Sequence, residues 1–537
     1  MKSTIKLLSI AVTTALLSGC FGDDDKNESE PTPAVSTIDW TKTNEWFEAG
    51  EQNVLTAKET QELLEKGAAK NVILFVGDGM SVSTVTAARI FAGQQNGQTG
   101  EEYQLSFEKF PVAGFSKTYN TNQQTPDSAG TMTAMVSGVK TKAGVIGYGE
   151  KALRADCASG SGQELVTSIE LAEMAGKSTG VLSTARITHA TPAATYSKSP
   201  ERNWESDNNL TDEAKANGCT DIASQLVNFS YGDGIDVVMG GGRRHFFPSS
   251  VIDEEGKSGK RKDGQNLIDE WRAKYTNGIY VYDQTGFDAI DAASVNKVFG
   301  LFNSSHMEYE VDRANDIAGE PSLSEMTQKS LDILSKNDKG FFLMVESGRI
   351  DHGHHAGNAY RVLQDTVEFD RAIQVAVNSV DLSETLIIVT ADHGHVFTMA
   401  GYPTRGNPIL GLVKTNDSAG HAEDEHVLAK DDMPYTTVGY RNGLGFADYG
   451  DTSTGDQRYS DPHAAGRYEL SDVAVESHGF HQEALVPLSS ETHSGEDVGI
   501  YAIGPGAQLL RGTHEQSNIF HAINHAADLV AKAEASQ

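Results

Sequence analysis

Residues 341–355 read FFLMVESGRIDHGHH, an apolar run that leads directly into carboxylates and imidazoles. The run 341–345 is typical of a strand buried on both faces, and similar runs occur at 72–76, 179–182, 236–239, 386–389 and 498–503. Between these runs, residues 162–175, 322–335 and 360–377 have helical patterns. The alternation predicts an α/β fold with a large, mostly parallel β-sheet that is flanked by helices on both faces.

Polar side chains follow the predicted strands. Asp78 comes after the first apolar run, Thr191 after the second, Glu346 after the fourth, and the pair Asp392 and His393 after the fifth. The carboxyl ends of parallel strands meet at one edge of a sheet, where α/β proteins bind their ligands. We therefore expect these side chains to form one site.

The residue types in these clusters indicate metal binding. Asp351 and His355 stand four apart, so on a helix that begins after Arg349 they share one face and can hold a single ion. Asp392 and His393 are adjacent and can both turn toward a metal at a strand end. Zinc accepts carboxylates and imidazoles, whereas magnesium prefers oxygen ligands, so the mixture predicts two kinds of metal.

Some polar residues in these clusters have alternative interpretations. Any single aspartate or histidine could be a helix cap or a satisfied core group, and only the group of six residues makes metal binding the better interpretation. His352, His354 and His395 could support metal ligands from behind, or could simply be exposed.

A candidate nucleophile lies in residues 125–131, TPDSAGT. Pro126 and Asp127 mark a turn into a predicted helix at 128–137, which puts Ser128 at or just before the helix N-terminus. Ser128 could be the helix N-cap, which fits the local sequence equally well. With metals nearby it could instead be a nucleophile, because zinc promotes ionisation of a bound hydroxyl. Metal-assisted hydrolysis is therefore the first reaction to consider.

Composition excludes some partners. The chain has 537 residues, 38% hydrophobic, which is enough for one large α/β domain with insertions. Its formal net charge is -32, and such a surface repels nucleic acid and anionic membranes. An anionic substrate therefore needs local positive charge, which clustered divalent metals supply.

The N-terminus has the pattern of a targeting segment. A basic start, the apolar run 7–17 and the ending Leu-Ser-Gly-Cys predict a lipoprotein-type signal peptide at residues 1–19, with lipidation of Cys20. A plain secretory signal is the alternative. Residues 20–45 are predicted to form an acidic tether. We expect an exported protein, periplasmic or at the cell surface, that meets a bacterial membrane only through its lipid anchor.

The remaining chain, 46–537, is predicted to be the catalytic domain. Cys157 and Cys219 are a pair in an exported chain, which favours a disulfide over two buried free thiols. Residues of about 400–490 have few long apolar runs and are predicted to be an insertion, a crown or lid above the site.

Several motifs resemble those of the alkaline phosphatase family, in its animal-type and marine bacterial branch. The resemblance runs from about residue 69 to the C-terminus, and it is carried by 77–80 (GDGM), 127–129 (DSA), 188–192 (THATP), 202–204 (RNW), 345–355 (VESGRIDHGHH), 390–395 (TADHGH) and 491–497 (ETHSGED). The positions of Cys157 and Cys219 also match the disulfide of animal-type members.

The resemblance implies specific roles for the site residues. Two zinc ions are expected, one held by Asp351, His355 and His493, the other by Asp78, Asp392 and His393. One magnesium ion is expected on Asp78, Thr191 and Glu346. Ser128 is expected to become phosphorylated while Arg202 binds the phosphoryl oxygens. His189 and His352 stand where some bacterial members carry Asp and Lys, so they are candidates for supporting the magnesium site.

The resemblance also implies the activity. It indicates a homodimeric phosphomonoesterase with a broad range of small substrates, which releases inorganic phosphate. Asn303 stands at a carboxylate position of the calcium site of some animal members, so no calcium ligand is carried over. The alternatives are a phosphodiesterase of the same superfamily, and a non-enzymatic lipoprotein that binds metal or phosphate. A sulfatase is excluded because its signature is absent.

Overall fold

A ten-stranded β-sheet forms the centre of the protein. The computed structural model describes residues 68–450 and 466–536. The predictions for the signal peptide, the acidic tether and Cys20 lie outside the described residues. In chain order the strands are β1 (Asn71–Gly77), β2 (Val112–Lys117), β3 (Ser178–Arg186), β4 (Val237–Gly241), β5 (Ile279–Val281), β6 (Val298–Leu301), β7 (Phe341–Ser347), β8 (Thr385–Ala391), β9 (Gly394–His395), β10 (Phe397–Met399), β11 (Val438–Gly443), β12 (Ala447–Asp448), β13 (Phe480–His481), β14 (Ala484–Pro487), β15 (His493–Ser494), β16 (Val498–Ile503) and β17 (Gly512–Glu515).

The sheet is mostly parallel, as predicted. Its strand order is β17-β2-β16-β8-β1-β7-β3-β4-β6-β5. β16 runs antiparallel to β2 and β8, whereas the other neighbouring pairs are parallel. β1, β7 and β8 lie side by side, so the residues that follow them emerge at the same edge.

Helices connect the strands. They are α1 (Val82–Gln95), α2 (Ser128–Ser137), α3 (Cys157–Gly160), α4 (Ser168–Met174), α5 (Ala190–Tyr196), α6 (Asp212–Ala216), α7 (Ile222–Val227), α8 (Leu267–Lys274), α9 (Gln284–Asp288), α10 (Leu323–Leu334), α11 (Arg349–His355), α12 (Ala359–Ser379), α13 (Asn518–Ala527) and α14 (Leu529–Ala535). The helix predicted at 162–175 begins later, at Ser168. There Thr167 and Glu170 form a capping box, while Gly162 has a φ of +74° and cannot continue a helix.

Both faces of the sheet are covered. Along β1, Leu74 packs in one apolar cluster with residues of α2, α4, α5 and α13, while Phe75 packs in another with residues of α1, α10 and α12. Alternate strand residues point to opposite faces, so this division confirms helices on both sides of the sheet. Truncating a fully buried side chain such as Leu74 to alanine costs about 2–5 kcal/mol.

Cys157 and Cys219 form a disulfide, with Cα atoms 6.0 Å apart. This confirms the predicted bond and excludes two free thiols. Among the described residues, no helix combines the length and the apolar composition that crossing a bilayer requires.

The described part of the predicted insertion has small structural elements of its own. β10, β11 and β14 form a three-stranded sheet outside the main one, and a separate apolar cluster contains Leu412, Leu470, Val475 and Phe480. A crown or lid role for this region stays a prediction.

Candidate metal centre

The residues predicted to form the site meet at the carboxyl edge of the sheet. Asp78 directly follows β1, Glu346 is near the end of β7, and Asp392 and His393 directly follow β8; all four are buried. Thr191 lies in the first turn of α5, just after β3. The structure thus brings together side chains that are far apart in sequence.

A first cluster consists of Asp351, His355 and His493. α11 begins at Arg349, which places Asp351 and His355 one turn apart on the same face, and β15 brings His493 against them. Asp351 Oδ1 lies 3.3 Å from His355 Nε2 and 3.4 Å from His493 Nε2, and the two Nε2 atoms are 3.1 Å apart. Three potential ligand atoms therefore converge on one point.

Hydrogen bonds behind the two histidines fix which nitrogen faces this point. His355 Nδ1 lies 2.7 Å from the carbonyl oxygen of Glu491, and His493 Nδ1 lies 2.8 Å from that of Pro126. Each Nδ1–H donates to its carbonyl, so in the neutral rings both Nε2 lone pairs face each other. Ligand atoms about 3.3 Å apart form the edges of a tetrahedron around zinc with bonds of about 2.0–2.1 Å. The observed separations fit a zinc ion.

A second cluster lies beside the first. His393 Nε2 is 3.5 Å from Asp78 Oδ1, 3.2 Å from Asp392 Oδ2 and 3.1 Å from Ser128 Oγ. Burial, and then the neighbouring carboxylates, raise the pKa of Asp78 well above its ordinary value. Burial lowers the pKa of His393 well below its ordinary value. A buried divalent cation offsets these costs, because it stabilises ionised carboxylates and neutral imidazoles together.

The third set contains oxygen atoms only. Both carboxylate oxygens of Asp78, Thr191 Oγ1 and Glu346 Oε1 are buried without a hydrogen-bond partner in the described structure. Each such orphan costs about 1–3 kcal/mol. Burial raises the pKa of Glu346 to about 7, although hydrogen bonding with Ser183 opposes the shift. Unsatisfied oxygens without imidazole fit magnesium better than zinc.

His395 and Glu491 complete the centre, although the sequence analysis assigned neither of them a firm role. His395 is only 1% exposed, so the possibility that it is merely exposed is wrong. Its Nε2 lies 2.8 Å from Asp351 Oδ1, and its Nδ1 lies 2.5 Å from Glu491 Oε2. Burial opposes protonation, yet Glu491 and Asp351 raise the pKa of His395 to about 10. In the sequence, the sign that His395 could lie in the same site was its position two residues after His393.

The other three candidate histidines are partly buried or buried. His189 and His352 pack against each other, with ring centroids 5.6 Å apart, and His189 Nε2 lies 3.2 Å from Arg202 Nη2. His354 is fully buried and lies within hydrogen-bonding distance of Thr84 and the Tyr440 hydroxyl. The possibility that His354 is merely exposed is therefore wrong, and its ring stacks on that of His395 with centroids 4.6 Å apart.

Ser128 is the first residue of α2 and is 2% exposed. Asp127 is the N-cap, since its Oδ1 accepts from Gly130 N at 3.1 Å, so the interpretation of Ser128 as N-cap is wrong. Asp127 Oδ2 also accepts from Arg202 Nη1 at 3.0 Å and from Gly144 N at 2.9 Å. Asp127 therefore contacts both the start of the helix that carries the predicted nucleophile and the predicted phosphate-binding arginine.

Known proteins are similar to this chain in sequence and in fold. The alkaline phosphatase family model matches residues 69–529. The chain is 42% identical to the tissue-nonspecific alkaline phosphatase of Homo sapiens over 490 residues, which covers 90% of this chain and 88% of that protein. It is 42% identical to the alkaline phosphatase of Gadus morhua over 507 residues, which covers 93% and 98%. The solved alkaline phosphatase of Thermus thermophilus has a similar fold, with a TM-score of 0.58, 23% identity, and coverage of 88% of this chain and 95% of that one.

With the buried polar centre, these similarities define a metal-dependent phosphomonoesterase. The fold agrees also with the alkaline phosphatase of the Antarctic bacterium TAB5, at a TM-score of 0.56 and 23% identity over 86% of this chain and 99% of that one. The chain belongs to the alkaline phosphatase family.

Proposed function

We propose that the protein hydrolyses phosphate monoesters through a phosphoserine at Ser128, with two zinc ions and one magnesium ion in its centre. The observation that carries the proposal is the convergence of Asp351 Oδ1 with the Nε2 atoms of His355 and His493 at 3.1–3.4 Å, in tautomers set by carbonyl oxygens. Ser128 Oγ lies beside this cluster, 3.1 Å from His393 Nε2.

The proposed ligand sets come from the family resemblance, and the donor types support them. Asp351, His355 and His493 hold one zinc ion, Asp78, Asp392 and His393 hold the second, and Asp78, Thr191 and Glu346 hold magnesium. Bound divalent ions neutralise charge on phosphoryl oxygens and lower the pKa of a coordinated hydroxyl. A solved variant of the TAB5 alkaline phosphatase has magnesium bound in its M3 site, which supports magnesium in this family.

Groups of the protein itself position the two substitution steps at phosphorus, first by Ser128 and then by water. Ser128 Oγ forms a bond to phosphorus as the ester oxygen leaves from the opposite side, and solvent takes the hydroxyl proton while the departing oxygen gains one. The start of α2 presents free backbone N–H groups that favour an anion. Arg202 donates paired hydrogen bonds to two phosphoryl oxygens, and Asp127 keeps its guanidinium in place. Water then attacks phosphoserine, which releases phosphate and restores Ser128.

The wider organisation is part of the same proposal. Residues 1–19 direct export, Cys20 carries the lipid, residues 20–45 form the tether, and residues 46–537 form the catalytic domain, with a crown at about 400–490. The enzyme is a homodimer in the periplasm or at the cell surface, and it acts on small phosphomonoesters. Incorporation of radiolabelled palmitate, with Cys20→Ser as control, tests the anchor, and sedimentation tests the dimer.

The activity proposal is tested by three measurements on metal-replete protein. Elemental analysis should give two zinc and one magnesium per chain. Brief incubation with a phosphate-labelled substrate at acid pH should label wild-type protein and not Ser128→Ala. Ser137→Ala, at the other end of α2, is the matched control and should label normally. Full turnover by Ser128→Ala, or a higher kcat/KM for bis-nitrophenyl phosphate than for nitrophenyl phosphate, would overturn the proposal.

A further inference from the structure

Glu205 stands three residues after Arg202 and has no role in the chemistry described above. It is 8% exposed, and its carboxylate accepts three hydrogen bonds. Arg186 donates from Nε at 2.7 Å and from Nη2 at 2.8 Å, and Thr188 Oγ1 donates at 2.7 Å. A buried carboxylate with a bidentate arginine and a hydroxyl donor is a rigid connection.

The two donors belong to the segment that leads to Thr191. Arg186 is the last residue of β3, and its carbonyl accepts from His189 N at 2.8 Å, which closes a turn. α5 begins immediately afterwards and places Thr191 in its first turn. The Glu205 backbone is anchored separately, since its carbonyl accepts from Ala223 N at 3.1 Å. One carboxylate therefore ties the segment of Arg202 to the turn before Thr191.

Arg186 also contacts a group of packed histidine rings next to Arg202. Its guanidinium contacts His306, whose ring lies 4.1 Å from that of His352 and 5.4 Å from that of His189. His189 in turn lies 3.2 Å from Arg202 Nη2. Packed rings therefore connect Arg186, which Glu205 contacts, to Arg202.

Glu205 and Asp127 each pair with a different arginine. Burial alone would raise the pKa of the Glu205 carboxyl, but Arg186 lowers it well below its ordinary range, so the group is ionised. Arg186 is therefore paired with Glu205, and Arg202 with Asp127.

We propose that Glu205 is a positioning residue for phosphate binding, which holds Arg202 and the turn before Thr191 in register through Arg186 and Thr188. The assignment rests on the proposed function and deepens it, because it names a residue that positions the groups that bind the phosphoryl group. A residue that acts on binding geometry should change KM and phosphate affinity more than kcat.

The test is Glu205→Gln, which keeps the shape but turns an acceptor oxygen into an NH₂ group that faces Arg186 donors. For metal-replete protein, the Kd of inorganic phosphate by calorimetry and the KM for nitrophenyl phosphate should each rise roughly tenfold, whereas kcat should change less than about threefold. Zinc content should stay that of the wild type. Thr188→Val removes a single donor and should shift phosphate affinity in the same direction by a smaller factor.

Two comparisons separate positioning from general destabilisation. Asp236→Asn is the matched control, because Asp236 is also a buried carboxylate that accepts hydrogen bonds, from Thr179 N at 2.9 Å and from Lys297 at 3.0 Å. It lies just before β4, at the amino end of the strands and away from the site. It should lower Tm without changing phosphate affinity. Combining Glu205→Gln with Arg186→Gln should restore part of the affinity, because two amides can pair.

Phosphate affinity that stays within about twofold of wild type in both Glu205→Gln and Thr188→Val would overturn the assignment, whatever happens to Tm. A wild-type protein that neither binds phosphate nor hydrolyses monoesters would instead overturn the proposed function, and this assignment with it.

Discussion

Replacing Arg202 with lysine is the sharpest test of the proposed role of this residue in phosphate binding. Arg202 Nη1 donates to Asp127 Oδ2 at 3.0 Å and Nη2 lies 3.2 Å from His189 Nε2, while the planar guanidinium carries further N–H donors for phosphoryl oxygens. A lysine has one nitrogen, which can serve Asp127 or the substrate without the planar fork that serves both. Loss of one hydrogen bond to a charged group costs about 1.5–3 kcal/mol. Arg202→Lys should therefore lower kcat/KM roughly 10- to 150-fold.

The assay is the steady-state hydrolysis of nitrophenyl phosphate by protein saturated with zinc and magnesium, with metal content measured in parallel. Arg154→Lys is the matched control: Arg154 pairs with both carboxylate oxygens of Glu201, at 2.8 and 3.0 Å, but is largely exposed. Its replacement should change kcat/KM less than about threefold, because exposed ion pairs contribute little. Equal losses in the two variants, or no loss in Arg202→Lys, would refute the reasoning.

Three further outcomes are expected. Ser128→Ala should lower kcat at least about a thousandfold with zinc content unchanged by elemental analysis. Burial raises the pKa of Glu173 to about 8, so the stability that its neutral form contributes is fully present below the ordinary pKa of 4.5 and is lost as pH rises through about 8. In urea unfolding, the free energy of unfolding of Glu173→Gln should therefore rise relative to that of the wild type over this pH range. Replacing Cys157 and Cys219 with serine should lower the free energy of unfolding by about 4 kcal/mol, because the bond closes a loop of 62 residues; an unchanged urea midpoint would contradict this.

The sheet was predictable where strands are buried on both faces. Runs such as 72–76 and 341–345 are continuously apolar, and nothing in their surroundings competes with the strand interpretation. β2 alternates buried and exposed residues, and β17 is short and polar, so neither gives a comparable signal. Their places in the sheet depend on pairing with β16 and with each other, which no local pattern encodes.

The convergence of the candidate ligands was predictable from the sequence, and the residues that contact them from behind were less so. Asp351 and His355 have helical spacing, so their shared face follows from sequence alone. Asp127 and Ser128 are both good N-caps, and only the observed hydrogen bond to Gly130 N decides between them. Glu205 looks like an ordinary polar residue in sequence, because its partner Arg186 is close to it only in the folded chain.

The order in which the centre's residues occur along the chain constrains when it can form. Asp78 is synthesised early, whereas His493 is the last residue of the proposed site to be made, on a strand that pairs with β9. A polypeptide still under synthesis therefore lacks one residue of the proposed zinc site. That site can be completed only after β15 has been made and has paired with β9.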